Sequence, residues 1–84
     1  MAIFVVVADS DNPAIGAAIA KNYPQDHYKL NGHSWLVSAD TLSKTLSETI
    51  GLSDGDLGWA VVFAMDAYWG YHSNETWEWI KLKS

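Results

Sequence analysis

The chain has 84 residues, enough for one domain (1–84), and it contains no cysteine, which excludes disulfides and thiolate metal sites. Ten acidic residues face five lysines, and without arginine the net charge is −5. Nucleic-acid binding proteins usually show a basic surface, so we expect no nucleic-acid partner. The composition fits a cytoplasmic acidic protein that binds a basic protein.

The apolar start of the chain lacks the basic flank of a signal peptide, and no apolar run approaches the roughly 20 residues of a membrane span. We therefore expect a protein without membrane contact. The sequence also contains five Trp, four Tyr and two Phe. Because a chain this short buries only about 60% of its unfolded surface, we expect these aromatic side chains to supply the core and a subunit interface.

The first strand is predicted at residues 3–8, where consecutive apolar residues indicate burial on both faces. Asp9 ends this strand. A helix then begins near Asp11, because an Asp or Asn side chain caps free N–H groups and Pro13 suits the first turn. Pro24 should end the helix by the preceding residue.

A hairpin is predicted next, with arms at residues 27–30 and 33–39. The dipeptide between the arms is Asn31-Gly32, which favours a two-residue type I′ turn with positive φ at both positions.

A second helix should follow the hairpin, capped by Asp40 or Thr41 and ended by Gly51. Its apolar face repeats every four residues, at Leu42, Leu46 and Ile50.

The last clear strand is predicted at residues 59–65, again apolar on consecutive positions. The Trp-rich tail beyond it allows two interpretations. A short helix capped at Ser73 or Asn74, with Trp77 and Ile80 facing inward, is preferred over a strand at residues 76–82.

The element order β-α-β-β-α-β predicts an α+β fold. Two right-handed split βαβ units give a ferredoxin-like sandwich, in which a four-stranded antiparallel sheet carries both helices on one face. The last strand would lie at an edge and is apolar on both sides, which is unfavourable in water. We therefore expect the aromatic tail, a second subunit or both to cover it, and we predict a homodimer.

Several loose motifs follow one another along most of the chain: Ser34-Trp35, Asp54-Gly55-Asp56, residues 67–70 (AYWG) and Trp77. In this order they resemble small bacterial and phage proteins known as SinR-like. That group is similar in fold to the small subunit of the CRISPR-associated adaptation nuclease and to related antitoxin ribonucleases.

The resemblance implies a ferredoxin-like dimer in which an Asp at the end of the first strand lies near the two-fold axis and holds a divalent metal. Asp9 stands in the matching place. The chain departs from the pattern because no arginine follows the first strand. The residues that would position phosphate are therefore missing.

Asp9 and Asp11 are the candidate metal ligands, since Mg²⁺ prefers carboxylate oxygens and phosphodiester hydrolysis needs such a cation. The competing interpretation is that Asp11 caps a helix and Asp9 ends a strand, which explains their spacing without a metal. Under that preferred interpretation the chain uses no cofactor.

Two other sets of polar residues carry weaker signals. Asp54-Gly55-Asp56 lacks the distal ligands of a calcium loop and predicts a solvated turn. The imidazoles of His27, His33 and His72 lack the spacing of a zinc site, although the first two flank the hairpin turn and were candidates to face each other.

The aromatic side chains are the candidate interface, because Trp and Tyr dominate interface hot spots. The predicted interface residues are Trp59, Phe63, Tyr68, Trp69, Tyr71, Trp77 and Trp79. The leading hypothesis is a small acidic non-enzymatic protein-interaction module, with an inhibitor or regulator of phage or bacterial defence as its specific form. The alternative is a divalent-metal-dependent endoribonuclease that uses Asp9 as catalytic ligand, and base stacking on the aromatic residues ranks last.

Overall fold

The computed structural model describes residues 2–70 and 72–83. The elements in chain order are β1 (Ala2–Ala8), α1 (Pro13–Asn22), β2 (His27–Asn31), β3 (Ser34–Ala39), α2 (Ser43–Thr49), β4 (Ala60–Ala64) and α3 (Asn74–Lys83). The four strands form one antiparallel sheet in the order β2-β3-β1-β4. The prediction of an α+β fold with a four-stranded antiparallel sheet is confirmed, and the described residues contain three helices.

The main core lies between one face of the sheet and the helices α1 and α2. Alternate residues of the two inner strands face these helices, which is the period-two pattern of a strand. The buried core residues are Phe4, Val6, Ala8, Ile15, Ile19, Trp35, Val37, Ala39, Leu46, Ile50 and Leu52. Gly16 permits close packing here, because a Cβ at this position would lie 3.3 Å from the Trp35 ring.

The helix α1 is capped by Asn12, not by Asp11 as predicted. The Asn12 side-chain oxygen accepts a hydrogen bond from the Ile15 N–H at 3.0 Å, and Pro13 occupies the first helical position. The helix ends at Asn22, directly before Tyr23, as Pro24 predicted.

The β2–β3 hairpin turns one residue later than predicted. Asn31 belongs to β2 and pairs with Ser34, so the turn residues are Gly32 and His33. Neither has a positive φ, and the type I′ prediction is therefore wrong. The Asn31 side-chain oxygen instead accepts hydrogen bonds from the His33 N–H at 2.9 Å and the Ser34 hydroxyl at 2.8 Å. A side-chain turn of this kind needs no left-handed residue.

The helix α2 begins after Leu42, so the prediction that Asp40 or Thr41 caps it is wrong. Leu42 is extended and largely exposed, which removes it from the predicted apolar face. The end of the helix agrees with the prediction: Gly51 has a φ of 85°. The Gly51 N–H donates to the Glu48 carbonyl and the Leu52 N–H donates to that of Ser47, the double pattern of a Schellman motif.

The second face of the sheet carries α3. Ile3 and Leu36 form a smaller buried cluster with Ile80, and the Trp77 and Trp79 side chains pack against it half-buried. The preferred helical interpretation of the tail is therefore correct, with Thr76 and Ile80 as the buried residues of the helix. Since this helix lies over β2, β3 and the start of β1, it covers only part of the second face.

Candidate interaction surface

The part of the second sheet face that α3 does not cover is apolar and exposed. Val7 pairs with Val61, and the neighbouring Val5 pairs with Phe63, so these side chains share one face. The exposed fractions are 54% for Val61 and 55% for Phe63, and Trp59, just before β4, is 80% exposed. We call Val7, Trp59, Val61 and Phe63 the β4 surface.

A second exposed apolar feature lies between α3 and the segment that follows β4. It is a cleft of about 490 Å³ lined by Tyr68, Trp69, Gly70, Asn74, Trp77, Glu78 and Lys81, and we call it the aromatic cleft. The rings of Tyr68 and Trp77 stack with their centroids 6.0 Å apart. Trp69 is 98% exposed, which leaves nearly its whole indole open to a partner.

Polar contacts at both ends hold α3 in place and so position the cleft. At its start, Thr76 Oγ1 lies 3.2 Å from Tyr28 Oη and 2.8 Å from His72 Nδ1. At its end, Lys83 Nζ donates to Asp26 Oδ1 at 2.9 Å. The ring of Tyr28 also packs on Trp79. These contacts fix the helix on the hairpin side of the sheet.

The helix start has its own cap, as predicted at Ser73. The Thr76 N–H donates to the Ser73 hydroxyl, and the Trp77 N–H donates to the Ser73 carbonyl, both at 3.4 Å. The cap residue directly precedes Asn74, which lines the aromatic cleft.

The predicted interface residues fall into two groups. Trp59, Phe63, Tyr68 and Trp69 are exposed and belong to the two surfaces defined above. The two Trp residues of α3 are half-buried and support the fold, and Trp77 also lines the cleft. Tyr71, also predicted for the interface, lies outside the described residues.

The two candidate metal ligands are exposed at one end of the sheet. The Asp9 N–H donates to the Trp59 carbonyl at 3.0 Å, which extends the β1–β4 pairing. Asp11 Oδ1 lies 3.4 Å from His33 Nδ1. Within residues 2–70 and 72–83, no group of three His, Cys, Asp or Glu side chains could hold a metal ion. The endoribonuclease alternative with Asp9 as catalytic ligand stays a prediction.

The three imidazoles are not brought together. His27 Nδ1 lies 2.6 Å from the Tyr23 carbonyl, His33 contacts Asp11, and His72 contacts Thr76. His27 and His33 belong to opposite ends of β2 and its turn, so the expectation that they might face each other is wrong.

The Asp54-Gly55-Asp56 segment is an exposed turn. The Asp56 N–H donates to Asp54 Oδ1 at 3.1 Å, and Gly55 has a φ of 79°. This geometry agrees with the predicted solvated turn.

Sequence reasoning missed the polar contacts between distant parts of the chain. Thr76 and Tyr28 are 48 residues apart, and Asn12 bonds to Leu57 across 45 residues. No signal in the sequence could have found them, because the burial of Thr76 becomes visible only once α3 is docked on the sheet.

Searches with protein-family models and against curated proteins found no match for this chain. Among the described residues, no helix is long and apolar enough to cross a membrane.

Proposed function

We propose that the chain is a small acidic, non-enzymatic protein-interaction module that binds its partner in the aromatic cleft. The observation that carries the proposal is the 98% exposed indole of Trp69 beside the stacked Tyr68–Trp77 pair. A large apolar side chain held open to water is unfavourable by itself, and Trp is the residue most enriched at interface hot spots.

The partner segment should be basic and partly apolar. Glu78 lines the cleft, Asp66 and Glu75 lie close to it in the sequence, and the chain as a whole carries a charge of −5. A Lys or Arg side chain of the partner would gain from the carboxylate and from the face of the exposed indole. Lys81 also lines the cleft and disfavours a partner of uniformly positive charge, so apolar contacts should contribute as well.

The fold we propose for this module is the ferredoxin-like sandwich. What supports it is the alternation β1-α1-β2-β3-α2-β4 and the inner position of β1 and β3 in the sheet. The helix α3 is an addition to that arrangement, and it is the element that builds the cleft. The resemblance to SinR-like bacterial and phage proteins supports the more specific role of an inhibitor or regulator of defence.

Affinity capture from bacterial lysates tests the proposal with wild type and Trp69→Ala. Leu82→Ala is the matched control, since Leu82 is an exposed apolar residue of α3 that does not line the cleft. We expect the wild type and Leu82→Ala to capture the same protein, and Trp69→Ala to lose it. This protein should elute as the salt concentration is raised. The proposal is wrong if Trp69→Ala captures the same proteins as the wild type or if the wild type captures none.

A further inference from the structure

The strand β4 lies at one end of the sheet and has the sequence Ala60-Val61-Val62-Phe63-Ala64. Edge strands usually carry charged residues, proline or bulges, because their free backbone groups otherwise pair with another chain. This edge strand has no charged residue and no proline. The β4 surface described above is continuous with it.

The direction of the β4 backbone groups follows from its pairing with β1. The Trp59 carbonyl accepts from Asp9, and the Met65 N–H donates to Ile3. In an antiparallel pair, residues alternate between bonding to the neighbour and pointing away from it. Residues 59, 61, 63 and 65 therefore bond toward β1, and Ala60, Val62 and Ala64 direct their N–H and C=O groups to the free edge.

The β4 sequence is complementary to itself about Val62. In a two-fold antiparallel pairing centred there, Ala60 lies opposite Ala64 of the second copy, and the outward backbone groups meet outward backbone groups. Val61 lies opposite Phe63 of the second copy on the face that carries the β4 surface. Every cross-strand pair is thus apolar and matched in backbone direction.

We propose that a second copy of this chain docks along β4 in this register, joining the two sheets into one continuous antiparallel sheet. The two-fold axis passes beside Val62, and the β4 surfaces of both copies form one apolar stripe across it. The aromatic cleft does not belong to this interface.

The interface should be of modest size. Edge-to-edge pairing buries the free backbone edge of β4 and the adjoining sides of Val61 and Phe63, but it leaves the outer face of the joined sheet in water. The buried area should therefore fall below the ~1,200–2,000 Å² of stable interfaces. We therefore expect a dimer that dissociates on dilution. Each copy carries a charge of −5, so salt should strengthen the dimer by screening the repulsion between the copies. Salt should weaken the binding of a basic partner, which is the opposite effect.

Sedimentation over a range of protein and salt concentrations tests the proposal. We expect wild type to pass from monomer to dimer as concentration rises. Val61→Lys should stay monomeric, because it places two like charges in the apolar stripe. Ala64→Pro should also stay monomeric, because proline lacks the N–H group that residue 64 directs to the free edge and not to β1. Leu82→Lys, on the exposed side of α3, is the matched control and should dimerise. Circular dichroism of each variant shows that it is folded.

A disulfide test fixes the register, because the chain has no cysteine of its own. Mixing a Val61→Cys chain with a Phe63→Cys chain should give a mixed disulfide, since directly opposite residues fall within the Cα separation that a disulfide requires. Each variant alone should cross-link far more slowly.

A wild type that stays monomeric at every concentration overturns the proposal. Equal cross-linking of the single variants overturns the register, and a Val61→Lys variant that dimerises like wild type overturns the interface. None of these results bears on the capture experiment at Trp69.

Discussion

The side-chain amide of Asn12 donates a hydrogen bond to the main-chain oxygen of Leu57 at 2.6 Å, joining the start of α1 to the loop before β4. The oxygen of the same side chain caps α1 through the Ile15 N–H. One residue therefore satisfies two buried or half-buried backbone groups. A Cβ at Gly58 would lie 2.8 Å from the Asn12 amide nitrogen, so the glycine makes room for this contact.

Replacing Asn12 by Ala should lower the free energy of unfolding by about 2 kcal/mol, because the cap and the contact to Leu57 are lost together. Asp11→Ala is the control and should change it by less than about 0.5 kcal/mol, since this side chain is exposed. Urea denaturation measures both values. A larger loss for Asp11→Ala than for Asn12→Ala would mean that the cap is assigned to the wrong residue.

Thr76→Val should destabilise the fold by about 1 kcal/mol, because it keeps the buried shape but removes the hydroxyl between Tyr28 and His72. Tyr28→Phe removes the Tyr28 hydroxyl, which is the partner of Thr76 in the first of these contacts. In the double variant the two losses should be less than additive by about 0.5 kcal/mol. Fully additive losses by chemical denaturation would show that the hydroxyls do not interact.

Ser38→Ala should stabilise the protein. Ser38 is 1% exposed, and its hydroxyl has no hydrogen-bond partner among the described residues. Because an unpaired buried hydroxyl is costly, its removal should raise the free energy of unfolding by about 1 kcal/mol. For a domain of this size that raises the thermal midpoint by roughly 4–8 °C. Calorimetry of Ser38→Ala and wild type measures the two thermal midpoints, and a lower midpoint for the variant contradicts the prediction.

Two glycines should respond differently to alanine. Gly51→Ala should cost about 1–2 kcal/mol, because the φ of 85° is strained for any residue with a Cβ. Gly32→Ala should cost less than about 0.5 kcal/mol. Gly32 is not left-handed, and the atom nearest to its added Cβ is the end of the exposed Asp11 side chain, which can turn away. Urea denaturation of both variants separates this turn from the type I′ turn, for which the two variants would be destabilised by similar amounts.

Millimolar Mg²⁺ should leave the thermal midpoint of wild type unchanged, because ligands that bind only the folded state raise it and no described cluster can hold the ion. Asp9→Ala should behave identically. A rise in the midpoint with Mg²⁺ that Asp9→Ala abolishes would establish a metal site and favour the endoribonuclease alternative.

The sequence predicted the elements where local chemistry decides them. Consecutive apolar residues marked β1 and β4, and Gly51 marked the end of α2, because these signals depend on burial or on one residue's φ. The predictions failed where two local solutions compete. Asn31 can supply a left-handed residue or a side-chain acceptor. The observed turn is held by contacts from distant residues, since the Asn12 N–H donates to the Gly32 carbonyl and the Ala8 N–H donates to the His33 carbonyl.

The sequence predicted the presence of exposed aromatic side chains but not how they are arranged on the surface. The amount of exposed aromatic surface follows from composition, since a domain of 84 residues cannot bury all of it. Its division into the β4 surface and the aromatic cleft depends on where α3 docks. That placement is set by the contacts of Tyr28 with Thr76 and of Asp26 with Lys83, which link residues far apart in the chain.

The placement of α3 has a further consequence for chains that stop short of it. A chain released after β4 can still form the four-stranded sheet, but Ile3 and Leu36 are then exposed on its second face. Such an exposed apolar face is a target for chaperones and for aggregation with other chains. Premature stop codons just upstream of α3 should therefore yield insoluble product.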